Sequence, residues 1–272
     1  MADILTVVLK QYSRESKDLK LPPLSDYTSC VVVGECDNLR KSLLFLTALT
    51  AASELGLKVL FLSPAPIESL PGVLQSALAR LSPDDLKKIK FKYPRCSAEL
   101  RCEIAALHEL AAPPPSLIIV DGMDLYLGAE DGLLAKQAQT AHISALLLDT
   151  AAFLTQRLEG NGDAAAPCYV ITSFRPEQEG RTAGESSAPD PVLAVIDRYF
   201  PVRCTFTKGE GTSSSLECAT EIKETLKIYF SGVGLNAASP LIKTHETRFG
   251  QQWSLSVAQD GAMEFSVQRV KD

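Results

Sequence analysis

Apolar runs broken by glycine and proline set the layout of the chain. "SCVVVG" (29–34), "LKVLFLSP" (57–64), Leu117–Asp121 in "PPPSLIIVDGMDLYL" and "CYVITSF" (168–174) carry apolar and β-branched residues on both parities. That pattern predicts strands buried on both faces. Helical spacing lies between them. Ile4, Leu5, Val8, Leu9 and Tyr12 mark a short helix over 3–12, although the run also fits a strand. Leu43, Leu44, Leu46, Leu49 and Ala52 mark a helix from about Asn38 to Leu55, ended by Gly56. Residues 97–111 and 133–158 read as helices. "SPDDLKKI" opens another, with Ser82 as N-cap, then Pro83 and acids in the first turn.

The remaining segments read differently. "KIKFKYP" (88–94) alternates lysine with Ile89, Phe91 and Tyr93, as a half-buried strand does. "GNGDAAAP" is a loop, and residues 175–191 are polar, rich in Gly, Ser and Pro, and expected to be mobile. A short helix then precedes the strand "VRCTFTKG". The last 60 residues change character: "SLECAT", "TLKIYFSG", "QQWSLSVAQ" and "MEFSVQRV" are half-buried strands, with "QDGA" as a hairpin turn. No internal repeat is found.

Alternating strands and helices followed by hairpins predict an α/β fold with a central, mostly parallel sheet, helices on both faces and antiparallel strands at the C-terminal end. Residues 1–28 form an N-terminal segment, a short helix or strand plus linker. Residues 29–272 form one core, in which 203–272 supply the antiparallel strands. The ligand crevice is expected at the carboxyl ends of the first and third long strands. The apolar face of residues 3–12 is a candidate docking surface for a partner.

Composition narrows the function classes. The chain has 272 residues, of which 46% are hydrophobic and 22% charged, enough to bury a substantial core. No apolar run approaches the ~18–20 residues of a membrane span, and no basic residue precedes the first apolar segment as in a signal peptide. A net charge of −6 argues against a strong free-standing nucleic-acid binder but leaves room for a local basic patch. The seven cysteines (30, 36, 96, 102, 168, 204, 218) make no C-x-x-C pair, which fits buried or free thiols better than a zinc site.

"SCVVVGECDNLRKSLLFLTAL" (29–49) has the strand–loop–helix layout of a phosphate-binding loop. A working loop, G-x-x-x-x-G-K-[ST], converges backbone N–H groups on phosphate and reaches the outer phosphates with its lysine. Counting from Gly34, Leu39 stands at the second glycine, Arg40 at the lysine and Lys41 at the hydroxyl position. With one inserted residue, Lys41-Ser42 becomes the lysine–serine pair. Neither register supplies the second glycine, and Glu35 and Asp37 bring carboxylates to the place of a triphosphate. The functional reading is a weak ATP site. The structural one is a plain strand-to-helix turn capped by Asp37 or Asn38.

The layout resembles a RecA-type ATPase core, in which an apolar strand such as "SLIIVDG" ends in a magnesium-holding acid, here Asp121. "VLFLSPAPIESLP", "LKKIKFKYP", "SLIIVDGMDLYL" and "ALLLDTAAFLTQRL", followed by "RYFP", narrow the likeness. Together they resemble the recombinase paralogue that associates with a SWIM-type zinc-finger protein in the vertebrate Shu complex. The likeness covers roughly Cys30–Arg203 and implies a RecA-like, P-loop-type core. It also implies a nuclear role in homologous recombination: binding single-stranded DNA with the zinc-finger partner, and supporting assembly or persistence of the recombinase filament.

RecA-type enzymes also place a water-activating glutamate just past the second strand. Here Pro64, Ala65 and Pro66 occupy that neighbourhood, and Glu68 comes three residues late. Hydrolysis therefore loses support in two places. No cofactor is expected. ATP and magnesium would bind only weakly, through Gly34, Arg40, Lys41, Ser42 and Asp121. For Asp121, capping a turn at the strand end is the simpler reading.

Other residues have a candidate role and a plainer one. Lys88, Lys90 and Lys92 would share one face of a strand and could follow DNA phosphates, or could protect an edge strand. Arg175 and Arg181 lie in the place of the second DNA-binding loop of RecA-type proteins, among Glu177, Glu179 and Glu185. The first such loop, near 127–137, offers only Lys136. Tyr93 and Phe174 are the aromatics nearest these bases. Phe45 and Ala48 in "FLTA" match the F-x-x-A motif by which recombinases dock on one another, on a helix where core packing competes. His108, His142 and His245 have no partner at a useful spacing, and no nucleophilic site is legible. Three readings remain: a non-catalytic or weakly catalytic paralogue acting as a repair scaffold, a weak ATPase stimulated by single-stranded DNA, and an adaptor that binds protein only.

Overall fold

The four doubly apolar runs form the middle of a sheet. In the structure, a computed structural model, they are β1 (Ser29–Val33), β2 (Val59–Leu62), β4 (Leu117–Val120) and β5 (Tyr169–Phe174). Every residue of β1, β2 and β4 is buried, as strands covered on both faces must be. The structure describes residues 2–13, 27–66, 81–109, 113–128, 132–160, 167–176, 190–208, 222–232, 251–258 and 263–269. The expected strand 215–220, the loops at 161–166 and 177–189, the turn at 259–262, Glu68, Arg181 and Cys218 lie outside them.

β3 (Ile89–Lys92) pairs with β2, and β6 (Val202–Lys208) pairs with β1. Three further strands, β7 (Ile222–Ser231), β8 (Gln251–Ala258) and β9 (Met263–Arg269), follow. Among the described residues the nine strands form one sheet in the order β3-β2-β4-β5-β1-β6-β7-β8-β9. The first six are parallel, and the last three join as antiparallel neighbours. β5 lies between β1 and β4, so the crevice expected at the ends of those two strands is shared by a third.

Helices cover both faces. α1 (Ala2–Gln11) and α2 (Asp37–Ser53) pack on one. α4 (Ser97–Ala105), α5 (Leu133–Gly160) and α6 (Pro191–Tyr199) pack on the other. The short α3 (Pro83–Lys87) starts with the expected signal: Ser82 accepts from the Asp85 N–H, and the Asp85 carboxylate accepts from the Ser82 N–H. Helix 97–111 is shorter than its sequence pattern, giving way to a 3-10 turn at Ala106–Glu109. That turn sets His108 against α5, stacked on Phe153 and hydrogen-bonded to Thr150.

The N-terminal helix corrects one expectation. Ile4, Leu5, Val8 and Leu9 are buried, in one core cluster with α2 and with Trp253, Leu255 and Phe265 of the last hairpin. Each such aliphatic side chain contributes about 1.5–3 kcal/mol on burial. The chain leaving α1 also touches the sheet edge, where the Phe265 N–H donates to the Tyr12 carbonyl. The apolar face of α1 is part of this core and offers no docking surface. Among the described residues no helix is long and apolar enough to cross a membrane.

Candidate functional site

The loop between β1 and α2 keeps the path of a phosphate-binding loop, but its interior is filled by its own side chains. Arg40 lies in the first turn of α2, is only 3% exposed, and turns back into the loop. It donates one hydrogen bond to the Gly34 carbonyl and another, of 2.5 Å, to Asp37 Oδ1. A guanidinium thus sits where a phosphate loop collects anions. Asp37 carries its other oxygen toward Arg175, whose Nη1 lies 3.3 Å from Oδ2. The expected cap is corrected here: Cys36 occupies the N-cap without a side-chain cap bond, and Asp37 is the first helical residue, held by the two arginines.

Gly34 and Leu39 are explained by packing. A Cβ on Gly34 would come within 3.1 Å of the Phe206 Cβ on β6, so glycine lets β6 approach the loop. Leu39, in place of the second glycine, is buried in the core. Ser42, the hydroxyl of the alternative register, is buried and donates back to the Asn38 carbonyl at 2.7 Å, along its own helix. Lys41 does reach the crevice, with Nζ 3.9 Å from Asp121 Oδ2.

Asp121 follows β4 and is 3% exposed. It accepts from Ser63 Oγ at 3.1 Å and Ser173 Oγ at 3.4 Å, and Ser173 in turn accepts from the Gly122 N–H at 2.8 Å. Gly122 has φ +71°, in the left-handed region that favours glycine. Burial raises the Asp121 carboxyl above the usual carboxylate range, although Lys41, Ser63 and Arg40 pull it down. Burial likewise raises Asp124, which accepts from the Arg175 N–H at 2.9 Å. Beside them Tyr126 is pushed well up by burial and by the Asp121 charge. Asp37, Asp121 and Asp124 face Arg40, Lys41 and Arg175, and the formal charges of these six cancel.

The remaining candidates are scattered. Among the described residues β3 is an edge strand, and Lys88, Lys90 and Lys92 do not form one face. Lys88 precedes the strand and binds Asp85 at 3.0 Å and the Ala52 carbonyl at the end of α2 at 3.1 Å. Lys92 is paired with Glu103 on α4. Lys90 is exposed and has no ion-pair partner among the described residues. β3 lies three strands from β5, about 14 Å at the usual spacing, so Lys90 and Arg175 belong to separate patches. Tyr93 is exposed, whereas Phe174 is buried and not open to a base. Phe45 and Ala48 are buried as well. The Phe45 ring stacks on Phe61 at 4.7 Å, beside Phe91, so these two residues serve the core and not a docking motif.

Sequence reasoning missed Ser63 and Ser173, and read Asp37 either as a carboxylate near a triphosphate or, with Asn38, as a candidate cap, not as a partner of two arginines. Ser63 follows β2 and Ser173 is the penultimate residue of β5, both level with Asp121, and that shared position was the available signal. The buried thiols of Cys30 and Cys168 are pushed up to about 12 by desolvation, which leaves them unreactive. Among the described residues no group of three or more His, Cys, Asp or Glu could hold a metal ion.

Comparison with known proteins adds two kinds of likeness. The chain superimposes on the RadB recombinase with a TM-score of 0.53, covering 91% of this chain and 93% of that one at 14% identity, which identifies a RecA-like fold. No family model matches. Over 183 residues, 67% of its length, the chain is 38% identical to the mouse (Mus musculus) protein ATPase SWSAP1, of which that match spans 58%. It is 36% identical to the human (Homo sapiens) ATPase SWSAP1 over a match of equal length, covering 70% of that protein. On that likeness the chain belongs to the SWSAP1 family.

Proposed function

We propose that the chain is a non-catalytic or nearly non-catalytic recombinase paralogue. With a SWIM-type zinc-finger partner in the nucleus, it binds single-stranded DNA and supports assembly or persistence of a recombinase filament in homologous-recombination repair. Its RecA-like fold and its family support a place in recombination. The zinc-finger partner and single-stranded DNA go beyond what fold and family support. One observation carries the non-catalytic reading: the crevice neutralises itself. Phosphoryl transfer needs cations and N–H donors directed at an incoming triphosphate. Here Arg40 is spent on the Gly34 carbonyl and Asp37, and Lys41 faces Asp121. The residues present do not fit a magnesium–triphosphate: admitting one would require Arg40 to leave a buried position and Asp37 to be displaced by a like charge.

The relatives carry the name ATPase, and one feature favours a weak activity here. Lys41 is 40% exposed and stands over Asp121, the pairing of lysine and strand-end acid that a working site uses. In that second reading Lys41 swings from Asp121 to a phosphate. The test is co-expression with the SWIM-type protein, followed by binding of a fluorescent oligothymidylate to the purified assembly. The proposal expects a stable assembly that prefers single strands. Co-purification without DNA binding would leave a protein-only adaptor, and failure to co-purify would remove the partner from the account.

A further inference from the structure

Arg40 and Arg175 hold the same carboxylate with very different firmness. Arg40 is buried and lies 2.5 Å from Asp37 Oδ1. Arg175 is 56% exposed, Asp37 is 52% exposed, and their contact is 3.3 Å. Charge-assisted N–H···O bonds normally measure ~2.7–2.9 Å, so this one is loose, and solvent screens it. The backbone under Arg175 is fixed independently, because its N–H donates to Asp124 at 2.9 Å. The guanidinium can therefore leave Asp37 while its base stays in place. Asp37 meanwhile keeps Arg40, so losing Arg175 does not strand a buried charge.

We propose that Asp37 is a built-in competitor for Arg175: its carboxylate occupies the guanidinium in the free chain, and a phosphate of single-stranded nucleic acid takes that guanidinium on binding. This inference rests on the single-strand-binding reading above and adds to it an autoinhibitory contact. A phosphodiester and a carboxylate both present an anionic oxygen to Arg, so either satisfies it. The exchange costs little because the pair it breaks is exposed.

The experiment measures oligothymidylate affinity and its salt dependence for the full chain, alone and co-purified with the SWIM-type protein. Asp37→Asn keeps an acceptor for Arg40 and removes the charge. It should tighten binding by about 2- to 5-fold, the equivalent of one exposed ion pair. Arg175→Ala should weaken binding and lower the salt slope by about 0.7, the value for one phosphate contact on a single strand. The double variant should bind no tighter than Arg175→Ala. A gain in affinity is not the effect of a merely damaged fold, and a melting curve checks each variant. An unchanged Asp37→Asn, or a gain that persists without Arg175, overturns the competitor while leaving DNA binding intact. Absence of binding by the unsubstituted chain in both preparations overturns the DNA reading itself.

Discussion

Replacing Arg40 with alanine separates a structural arginine from a nucleotide-binding one. Arg40 makes two hydrogen bonds from a charged donor, to the Gly34 carbonyl and to Asp37, and is 3% exposed. Bonds to charged groups contribute about 1.5–3 kcal/mol each, and the substitution also leaves a carbonyl short of a partner. Against this stands the relief of desolvating a guanidinium whose Nε has no hydrogen-bond partner among the described residues. Asp37 survives the change well, being half exposed and still beside Arg175. The net loss should be about 2–4 kcal/mol, or roughly 4–16 °C in melting temperature for a chain of this size. Thermal unfolding with and without magnesium-ATP reads both outcomes, since a ligand at 100 times its Kd would add about 2.7 kcal/mol to the folded state. The reasoning is refuted if Arg40→Ala melts with the parent while only the parent is stabilised by ATP.

Three further outcomes follow from the geometry. Gly34→Ala should cost about 1–3 kcal/mol in urea unfolding by overpacking against the Cβ of Phe206; an unaffected variant would refute the packing role. Leu5→Ala should cost about 2–5 kcal/mol, because Leu5 is fully buried; unchanged stability with weakened co-purification would restore α1 as a docking surface. Asp121 binds its proton more tightly folded than unfolded, so its contribution to stability falls as pH rises from the ordinary carboxylate range through its raised value, then levels. The stability of the parent minus that of Asp121→Asn should therefore decline across that window, and a difference that grows with pH would contradict the burial argument.

The sheet was legible because its central strands are buried on both faces and must be apolar on both parities, as in "SCVVV" and "LIIV". α1 was legible as a helix but not in its destination, since an amphipathic stripe says that a face is covered and not by what. The three lysines of "KIKFK" looked like one face because alternation was extended past the start of β3 at Ile89. The loop's missing glycine was visible in the sequence, but the inward turn of Arg40 was not, because an arginine in a first helical turn ordinarily points to water. Asp37, three residues earlier, was the one local sign that it had a partner. The joining of Asp37 to Arg175 depends on β5 lying beside β1, a fact of strand order that periodicity does not carry.

Turnover of ATP by the co-purified chain, with and without single-stranded DNA, tests the self-neutralised crevice most directly. The account predicts no turnover above that of an Arg40→Ala/Lys41→Ala variant, whether or not DNA is present. DNA-stimulated turnover that disappears in that variant would contradict it.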